Sequence, residues 1–327
     1  MGEIRLIEAV REGLREEMEL DSSVFLIGQD IGVNGGVFRV TEGLQAEFGK
    51  DRVIDSPLAE SGLVGVAIGA ALNGMRPVVE IQFADFIFPA FNQLVSEAAR
   101  MYYRTNGDYS VPMVIRAPYG GGVRGGLYHS QSVEAFFAHV PGLKVVIPSS
   151  PHDAKGLLKA AIRDDNPVLF FEHKLSYNTV LGEVPSDDYS VPIGKAVVRL
   201  EGTQLSLISY GLSVHHCLEA AEALSAESIS CEVVDLRTVK PLDSAKLLES
   251  VRKTGRACIV HEDNLTGGIG AEVAAILAKD GFEYLDAPVQ RVAAPDVPSF
   301  PYSPILEDAL LPGPTDIIKT ARELATY

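Results

Sequence analysis

Short runs of apolar residues recur along this chain, separated by stretches with helical spacing. Val24–Gly28, Val168–Glu172 and Leu205–Tyr210 are three such runs. A strand with one solvated face alternates apolar and polar residues, whereas these runs do not alternate. Strands that are apolar on both faces are typical of parallel sheets covered by helices on both sides. The pattern therefore predicts an α/β protein built from doubly wound, mainly parallel sheets.

The remaining periodic segments extend this pattern over nearly the whole chain. Further strands are predicted at Pro77–Gln82, Pro112–Ala117, Leu143–Ile147, Cys231–Leu236 and Ala257–His261. Helices are predicted over the amphipathic segment Met1–Leu20 and at Phe88–Tyr103, His152–Arg163, Ser213–Ser225 and Gly268–Lys279. Gly, Pro, Ser and Asp gather in residues 181–193, which is typical of a linker. We therefore predict two domains, residues 1–185 and 186–327, within the 327-residue chain.

Composition excludes several classes of partner. The chain has 44 acidic and 28 basic residues, a formal net charge of −16. Nucleic acids and anionic membrane surfaces both attract clustered Lys and Arg, so neither is an expected partner. The three cysteines have no CxxC spacing, which indicates neither a disulfide framework nor a zinc site. The charged N-terminal segment is unlike a signal peptide or a membrane span, so we expect a cytoplasmic protein.

A glycine-rich loop precedes a histidine that could carry chemistry. Residues 120–125 formally match GxGxxG, but no strong helix follows them and no acidic residue ends a strand about 20 residues later. A plain flexible loop is the alternative to a dinucleotide site. His129, just beyond it, could act as an acid–base group, although a single histidine is often structural.

Glu60 precedes a segment with almost no side-chain bulk. Gly62, Gly65 and Gly69 are spaced along a predicted helix, where each glycine costs about 0.8–1 kcal/mol relative to alanine. Such a helix is reasonable where another backbone must approach closely. Glu60 itself has two interpretations: a carboxylate stabilised by the helix dipole, or a functional group at a water-poor boundary.

Two further turns also have two interpretations each. Residues 267–270 (Gly-Gly-Ile-Gly) could expose N–H groups to an anion, or could simply allow close packing at a helix start. Residues 164–167 (Asp-Asp-Asn-Pro) offer oxygens to a hard cation, or form an ordinary polar turn. The chain has no GxSxG, HExxH, P-loop or EF-hand motif.

An ordered set of segments resembles the beta subunits of 2-oxoacid dehydrogenases. The segments are Val-Asn-Gly-Gly-Val-Phe-Arg-Val-Thr-Glu-Gly-Leu from Val33, Pro-Leu-Ala-Glu-Ser-Gly from Pro57, Glu-Ile-Gln-Phe-Ala-Asp-Phe from Glu80, His-Ser-Gln-Ser from His129, Asp-Ala-Lys-Gly-Leu-Leu-Lys-Ala-Ala-Ile-Arg-Asp from Asp153, and Val-Asp-Leu-Arg-Thr-Val-Lys-Pro-Leu-Asp from Val234. The resemblance extends from about residue 4 to about residue 320. It implies a transketolase-like fold with a pyrimidine-binding domain and a C-terminal domain.

The resemblance implies a thiamine-diphosphate site shared between two chains. In this family an alpha subunit holds the diphosphate through Mg²⁺ and a motif that begins Gly-Asp-Gly, which this chain lacks. The implied assembly is an α₂β₂ heterotetramer that decarboxylates a 2-oxoacid and passes the acyl group to the lipoyl-bearing acyltransferase core of the complex.

The resemblance also assigns roles to particular residues. Glu60 matches the carboxylate that hydrogen-bonds N1′ of the aminopyrimidine, Leu58 and Phe86 match cofactor-binding positions, and His129 matches a histidine near the 2-oxoacid. A structural potassium site found in several members corresponds to the carbonyls of Met113, Ala161, Ile162, Asp164 and Asn166.

One position departs from the family pattern. Members commonly have Gly-Glu-Asp after the first strand, where this chain has Gly28-Gln29-Asp30. A glutamine cannot act as an acid, so no catalytic role is assigned to Gln29. The alternatives are an acetoin dehydrogenase subunit, a transketolase divided between two chains, and a binding subunit without catalytic function. The substrate, either pyruvate, a branched-chain 2-oxoacid or acetoin, is not defined by these residues.

Overall fold

The chain forms two compact units. The computed structural model describes residues 2–327. The first unit contains residues up to Tyr119 and residues 136–193, and the second contains Gly120–Ala135 and Gly194–Tyr327. The predicted domain boundary at residues 185 and 186 lies in a segment that packs with the first unit as far as Ile193. The glycine-rich loop, by contrast, packs with the second unit.

The first unit is built on a parallel sheet. Its strands are β1 (Glu3–Arg5), β2 (Val24–Gly28), β3 (Val53–Asp55), β4 (Arg76–Glu80), β5 (Val114–Tyr119), β6 (Lys144–Val146), β7 (Val168–His173) and β8 (Leu181–Glu183). Six of them pair in parallel in the order β6-β7-β5-β4-β2-β3. β1 and β8 form a separate antiparallel pair. The parallel sheet predicted from the unbroken apolar runs is confirmed.

Helices connect these strands, and one predicted helix is wrong. The helices are α1 (Leu6–Leu20), α2 (Leu44–Phe48), α3 (Glu60–Leu72), α4 (Met101–Arg104), α5 (Glu134–Ala138), α6 (Pro151–Arg163) and α7 (Ser176–Thr179). The segment predicted as one helix over Phe88–Tyr103 is instead a 3₁₀ turn (Phe88–Ala90), a π-helical turn (Gln93–Ala98) and then α4. Pro89 cannot donate a backbone hydrogen bond, and the Ala99 N–H reaches back five residues to the Leu94 carbonyl at 3.0 Å.

The core of the first unit lies where α1 and α6 pack together and against the sheet. Leu6, Val10 and Leu14 of α1 belong to one buried apolar cluster with Leu157 and Leu158 of α6. Helix α1 thus covers the sheet with the apolar face that its spacing predicts.

Ion pairs border this apolar contact. Lys155 Nζ lies 2.6 Å from Glu16, and the Arg163 guanidinium lies 2.7 Å from Glu17. The aliphatic parts of these long side chains cover the helix contact while their charges are paired at its margin.

A buried cluster of charges crosses the middle of this sheet. The Arg116 guanidinium of β5 donates two hydrogen bonds to Glu172 of β7, at 2.8 and 2.9 Å, and one to Glu80 of β4, at 2.7 Å. The Tyr177 hydroxyl donates to Glu172 at 2.8 Å. Burial raises the pKa of Glu80 even though Arg116 opposes that change. Each of these charges is removed from water, which is unfavourable for a single ion. The hydrogen bonds among the three side chains therefore stabilise the charges together.

The second unit contains a smaller, mostly parallel sheet. The strands of this unit are β9 (Val197–Leu200), β10 (Leu205–Ser209), β11 (Cys231–Asp235), β12 (Thr238–Lys240), β13 (Ala257–Asn264) and β14 (Gln290–Ala294), and the sheet contains all of them except β12. Five pair in the order β14-β13-β10-β11-β9, with only β9 antiparallel to its neighbour. The helices are α8 (Ser213–Ser225), α9 (Ser244–Thr254), α10 (Ile269–Asp280), α11 (Pro304–Leu310) and α12 (Pro314–Ala325).

Within residues 2–327, none of the helices combines the length and the apolar character that crossing a membrane requires.

We predict that Arg116→Met destabilises the protein by about 3–5 kcal/mol, because it leaves Glu80 and Glu172 buried without a counter-charge. Arg104→Met is the control, since Arg104 and Glu97 form an exposed pair for which a change below about 1 kcal/mol is expected. Urea unfolding monitored by circular dichroism measures both variants. Equal midpoints for the two would contradict a stabilising role for the buried cluster.

Candidate active site

Several candidate residues follow the carboxyl ends of the parallel strands of the first unit. β3 and β4 lie on opposite sides of β2, and both are parallel to it. The loops that follow these three strands therefore leave the same edge of the sheet. Ligands of open parallel sheets bind at such an edge, where neighbouring connections run in opposite directions. The last residue of β2 is Gly28. A larger residue does not fit there, because its Cβ would lie 2.7 Å from the Glu80 carbonyl oxygen.

Glu60 lies on this edge as the first residue of α3. Its side chain is half-buried, and Leu58, two residues earlier, is 69% exposed. The exposed N–H groups of the first helical turn favour a carboxylate at this position. A partly accessible carboxylate beside an exposed apolar side chain can bind a ligand that is polar on one edge and apolar on its face.

The predicted close-packing face of α3 is open in the isolated chain. Gly62, Gly65 and Gly69 are exposed, and a Cβ added at Gly65 or Gly69 would meet no atom within 4 Å. On the opposite side, Leu63 and Ile68 are buried. The bare face of this helix is therefore not used by its own unit.

Phe86 follows β4 on the same edge and is held by other aromatic rings. It meets Phe83 edge-on, with ring centroids 5.7 Å apart, and Phe83 meets Phe38 edge-on at 5.4 Å. Phe38 in turn lies 5.5 Å from the ring of Tyr177, which hydrogen-bonds the buried charge cluster. Such edge-to-face contacts fix ring orientation. Phe86 is thus connected, ring by ring, to the centre of the sheet.

The residues proposed for potassium gather at the opposite, amino-terminal edge of this sheet. Met113 precedes β5, Asn166 precedes β7, and Ala161 and Ile162 end α6. The Met113 carbonyl accepts from the Val168 N–H at 3.0 Å, joining the two strand starts. A site at this edge would lie away from Glu60 and Phe86, so its role would be structural.

Two cationic side chains already contact this turn. The Arg76 guanidinium donates to the carbonyls of Ile162 and Asp164, each at 3.0 Å, and Lys144 pairs with the Asp164 carboxylate. A carbonyl oxygen has two lone pairs, so the Arg76 contacts leave one on each oxygen.

His129 belongs to the second unit, in the loop of residues 120–135. Backbone φ is positive at Gly120, Gly122, Arg124 and Gly126. Glycine adopts this conformation readily, whereas for Arg124 it costs on the order of 1 kcal/mol, so surrounding contacts must hold it. The loop is closed by the Gly120 N–H, which donates to the Gln131 carbonyl at 3.0 Å.

Two carboxylates hold this loop. Glu262, at the end of β13, accepts from the Gly121 N–H at 2.6 Å and from the Ser132 hydroxyl at 3.2 Å. Glu307 of α11 accepts from the Gly122 N–H at 3.0 Å, the Arg124 N–H at 3.3 Å and the Arg124 guanidinium at 2.7 Å. Both carboxylates are buried.

Glycines 268 and 270 are explained by packing at the start of α10. A Cβ at either residue would lie 2.6 Å from the ring of His261. Burial lowers the pKa of His261 to about 4, so this ring is neutral near pH 7. The structure therefore favours the close-packing interpretation of this motif over an anion site.

Comparison with known proteins defines the family. The transketolase pyrimidine-binding domain matches residues 2–179 and the transketolase C-terminal domain matches residues 194–317. The beta subunit of 2-oxoisovalerate dehydrogenase from Bacillus subtilis (strain 168) is 55% identical over 327 residues, covering 100% of both chains. The pyruvate dehydrogenase E1 component subunit beta of the same organism is 50% identical over the same length and coverage.

The chain belongs to the family of 2-oxoacid dehydrogenase beta subunits.

Solved structures agree with the fold of this beta subunit. A split-gene transketolase, described as an inactive beta4 tetramer, superposes with a TM-score of 0.80 at 26% identity, covering 99% of both chains. A transketolase from Leishmania mexicana superposes with a TM-score of 0.74 at 18% identity, covering 100% of this chain and 46% of that one. The second likeness shows the fold alone. The predicted two-domain, transketolase-like fold is confirmed.

Sequence reasoning missed a group of acids behind the His129 loop of this beta subunit. Glu134 is fully buried and accepts from the Tyr210 hydroxyl at 2.8 Å. Burial, with the charge of Asp263 adding to it, raises the pKa of Glu134 to about 8. Burial also raises the pKa of Asp263 to about 6. The available signal was that Glu262 and Asp263 end an apolar strand, where loops of an α/β sheet converge.

We predict that Glu134 makes stability depend on pH. Its pKa of about 8 in the folded protein exceeds the ordinary value of 4.5. Its protonation therefore stabilises the fold fully below about pH 4.5, and this contribution is lost as pH rises through about 8. Within that window the loss is up to about 1.4 kcal/mol per pH unit. Thermal melting from pH 5 to 8 should show a shallower decline for Glu134→Gln than for the wild type.

The exposed Glu222→Gln serves as the matched control and should melt like the wild type at every pH. If Glu134→Gln and wild type show parallel curves, then Glu134 does not hold its proton in this range.

Proposed function

We propose that this chain supplies the pyrimidine-binding half of a thiamine-diphosphate site and, with an alpha subunit, catalyses oxidative decarboxylation of a 2-oxoacid with acyl transfer to a lipoyl group. The observation that carries the proposal is the position of Glu60, the half-buried first residue of α3 on the carboxyl edge of the first sheet. The family membership of the chain supports the same reaction.

The residues on this edge fit a bound aminopyrimidine. Glu60 offers a carboxylate to its N1′, Phe86 offers a ring that is fixed by neighbouring aromatics, and Leu58 offers an exposed apolar side chain. When bound, the cofactor supplies a thiazolium carbon that adds to the carbonyl of the 2-oxoacid. Glu60 would hold a hydrogen bond to N1′ and would thereby promote loss of the proton of that carbon.

The rest of the site would come from a partner. This chain has no Gly-Asp-Gly motif, so we assign the Mg²⁺ and the diphosphate to the alpha subunit of an α₂β₂ heterotetramer. The structurally similar split-gene transketolase is described as an inactive beta4 tetramer, which supports the need for a second chain. The lipoyl-bearing acyltransferase core would then take up the acyl group. We also propose a cytoplasmic location, with which three free, buried cysteines agree.

We assign His129 to the 2-oxoacid. An imidazole can donate a hydrogen bond to a carboxylate or to oxyanion charge as that charge develops. Its loop is polar and rich in glycine, and His129 is half-buried.

The substrate would be pyruvate or a branched-chain 2-oxoacid. The beta subunits named for these two reactions are 50% and 55% identical to this chain, a difference too small to choose between them. Copurification with the alpha subunit and an assay with a panel of 2-oxoacids tests both. Turnover of acetoin or of ketose phosphates in place of 2-oxoacids would contradict the proposal.

We predict that Glu60→Gln lowers the decarboxylation rate of the reconstituted enzyme by about two to three orders of magnitude. Loss of one preorganised, charge-assisted contact costs about 2.7–4 kcal/mol of barrier. The measurement is 2-oxoacid-dependent dye reduction with the alpha subunit, thiamine diphosphate and Mg²⁺ present. The wild-type chain alone should be inactive in the same assay.

Glu42→Gln is the control for Glu60. Glu42 is an exposed carboxylate of the first unit and is assigned no role at the site. Near wild-type turnover by Glu60→Gln would mean that this carboxylate merely stabilises the start of α3.

We predict that Gly65→Leu weakens assembly or cofactor binding. The bare face of α3 suggests that a second beta chain packs there, and overpacking a close contact costs about 1–3 kcal/mol. Light scattering and cofactor titration measure the effect. The matched control is Ala278→Leu, on an exposed position of α10. Unchanged mass and affinity for Gly65→Leu would show that no neighbour contacts this face.

We propose that potassium binds the carbonyls of Met113, Ala161, Ile162, Asp164 and Asn166, and predict that it raises the melting temperature. A ligand selective for the folded state, at about ten times its Kd, stabilises by about 1.4 kcal/mol. Sodium at equal ionic strength is the control. Identical melting in both salts would indicate that the contacts of Arg76 and Lys144 already suffice for this turn.

A further inference from the structure

The second unit carries the loop that contains His129, and two buried carboxylates connect that loop to it. Glu262 and Glu307 together accept five hydrogen bonds from the loop, three of them from backbone N–H groups. Neither residue belongs to the motifs that suggested the thiamine site. Their partners lie 130 to 185 positions away in the chain.

Glu262 holds the two ends of the loop. One of its oxygens accepts from Gly121, at the beginning of the loop, and from Ser132, near its end. The backbone hydrogen bond from Gly120 to Gln131 joins the same two ends. Glu262 therefore holds the two ends of the loop together.

Glu307 holds the first part of the loop, residues 122–126. Its side chain is fully buried, and its two oxygens accept from the backbone N–H groups of Gly122 and Arg124 and from the Arg124 guanidinium. Arg124 has a φ of +61°, a conformation that L residues rarely adopt. The carboxylate thus holds a strained backbone by both its main chain and its side chain.

The contacts continue from residues 122–126 toward His129. Gly126 packs so closely on Tyr302 that a Cβ would lie 2.3 Å from the ring. A Cβ on Gly125 would lie 2.6 Å from the Cβ of His129, so Gly125 packs closely against this residue. Gly125 thus lies against the Cβ and backbone of His129, so we expect a displacement of residues 122–126 to shift that residue.

We propose that Glu307, supported by Glu262, is a positioning residue that acts through His129. The inference rests on the proposed function of His129. A shift of about 1 Å in a catalytic group can cost about 100-fold in rate, and three hydrogen bonds to one buried carboxylate prevent such a shift. Glutamine at position 307 keeps one acceptor oxygen but loses the charge and the second acceptor.

The test uses the enzyme reconstituted with its alpha subunit. Glu307→Gln should lower kcat about 10- to 100-fold, with the KM for thiamine diphosphate unchanged. In a His129→Ala background the same substitution should change kcat less than about twofold, because its effect passes through the imidazole. Asp308→Asn is the matched control: Asp308 pairs with the same Arg124 guanidinium but is 61% exposed, and its substitution should alter kcat less than twofold.

Hydrogen exchange of the same proteins tests the anchoring separately from catalysis. Glu307→Gln should speed amide exchange in peptides from residues 120–135, and Asp308→Asn should not. Unchanged exchange in Glu307→Gln, or an equal loss of kcat with and without His129, would overturn the proposal. Full turnover by His129→Ala would instead remove the proposed catalytic role of His129, and hydrogen exchange alone would then decide whether Glu307 anchors the loop.

Discussion

The Arg116 guanidinium joins three neighbouring strands at the centre of the first sheet. Its hydrogen bonds to Glu80 and Glu172 span β4, β5 and β7, all on side chains with almost no exposure. Hydrophobic contacts define a strand only approximately, because one apolar side chain replaces another at small cost. A buried guanidinium with two carboxylates has few satisfactory arrangements, so we expect this cluster to fix the register of the three strands.

The candidate site depends on this register. Glu80 ends β4, and Phe83 and Phe86 follow within six residues. Tyr177 connects the charge cluster to Phe38, and the aromatic contacts continue through Phe83 to Phe86. The proposed pyrimidine-binding ring is therefore connected through three aromatic contacts to the buried polar cluster.

Carboxylates have a different role in each environment of this protein. Glu60 is half-buried and is the first residue of a helix, where the backbone N–H groups of the first turn are free of helical partners. Glu307 is fully buried but meets an arginine and two backbone donors. Glu134 is equally buried with a tyrosine hydroxyl as its hydrogen-bond donor, and burial raises its pKa to about 8. One side-chain type thus has three different environments here, and burial and hydrogen-bond partners decide whether its pKa is raised.

The sequence by itself determined much of the architecture. Unbroken apolar runs predicted the parallel strands, and Val24–Gly28 and Ser213–Ser225 have the predicted bounds. Local spacing determines such elements because burial on both faces needs no knowledge of distant residues. The cofactor roles proposed for Glu60 and Phe86 have a different origin: they are implied by the resemblance of their segments to the family, and local spacing alone does not predict them.

Only the tertiary structure decided which unit carries the His129 loop. The chain order puts residues 120–135 inside the first domain, yet their contacts are with Glu262 and Glu307, up to 185 residues away. The same holds for the contact of Glu134 with Tyr210, 76 residues away in the chain. Periodicity and propensity describe neighbours along the chain, whereas hydrogen bonds to a buried carboxylate depend on which distant groups the packed core brings within about 3 Å of it.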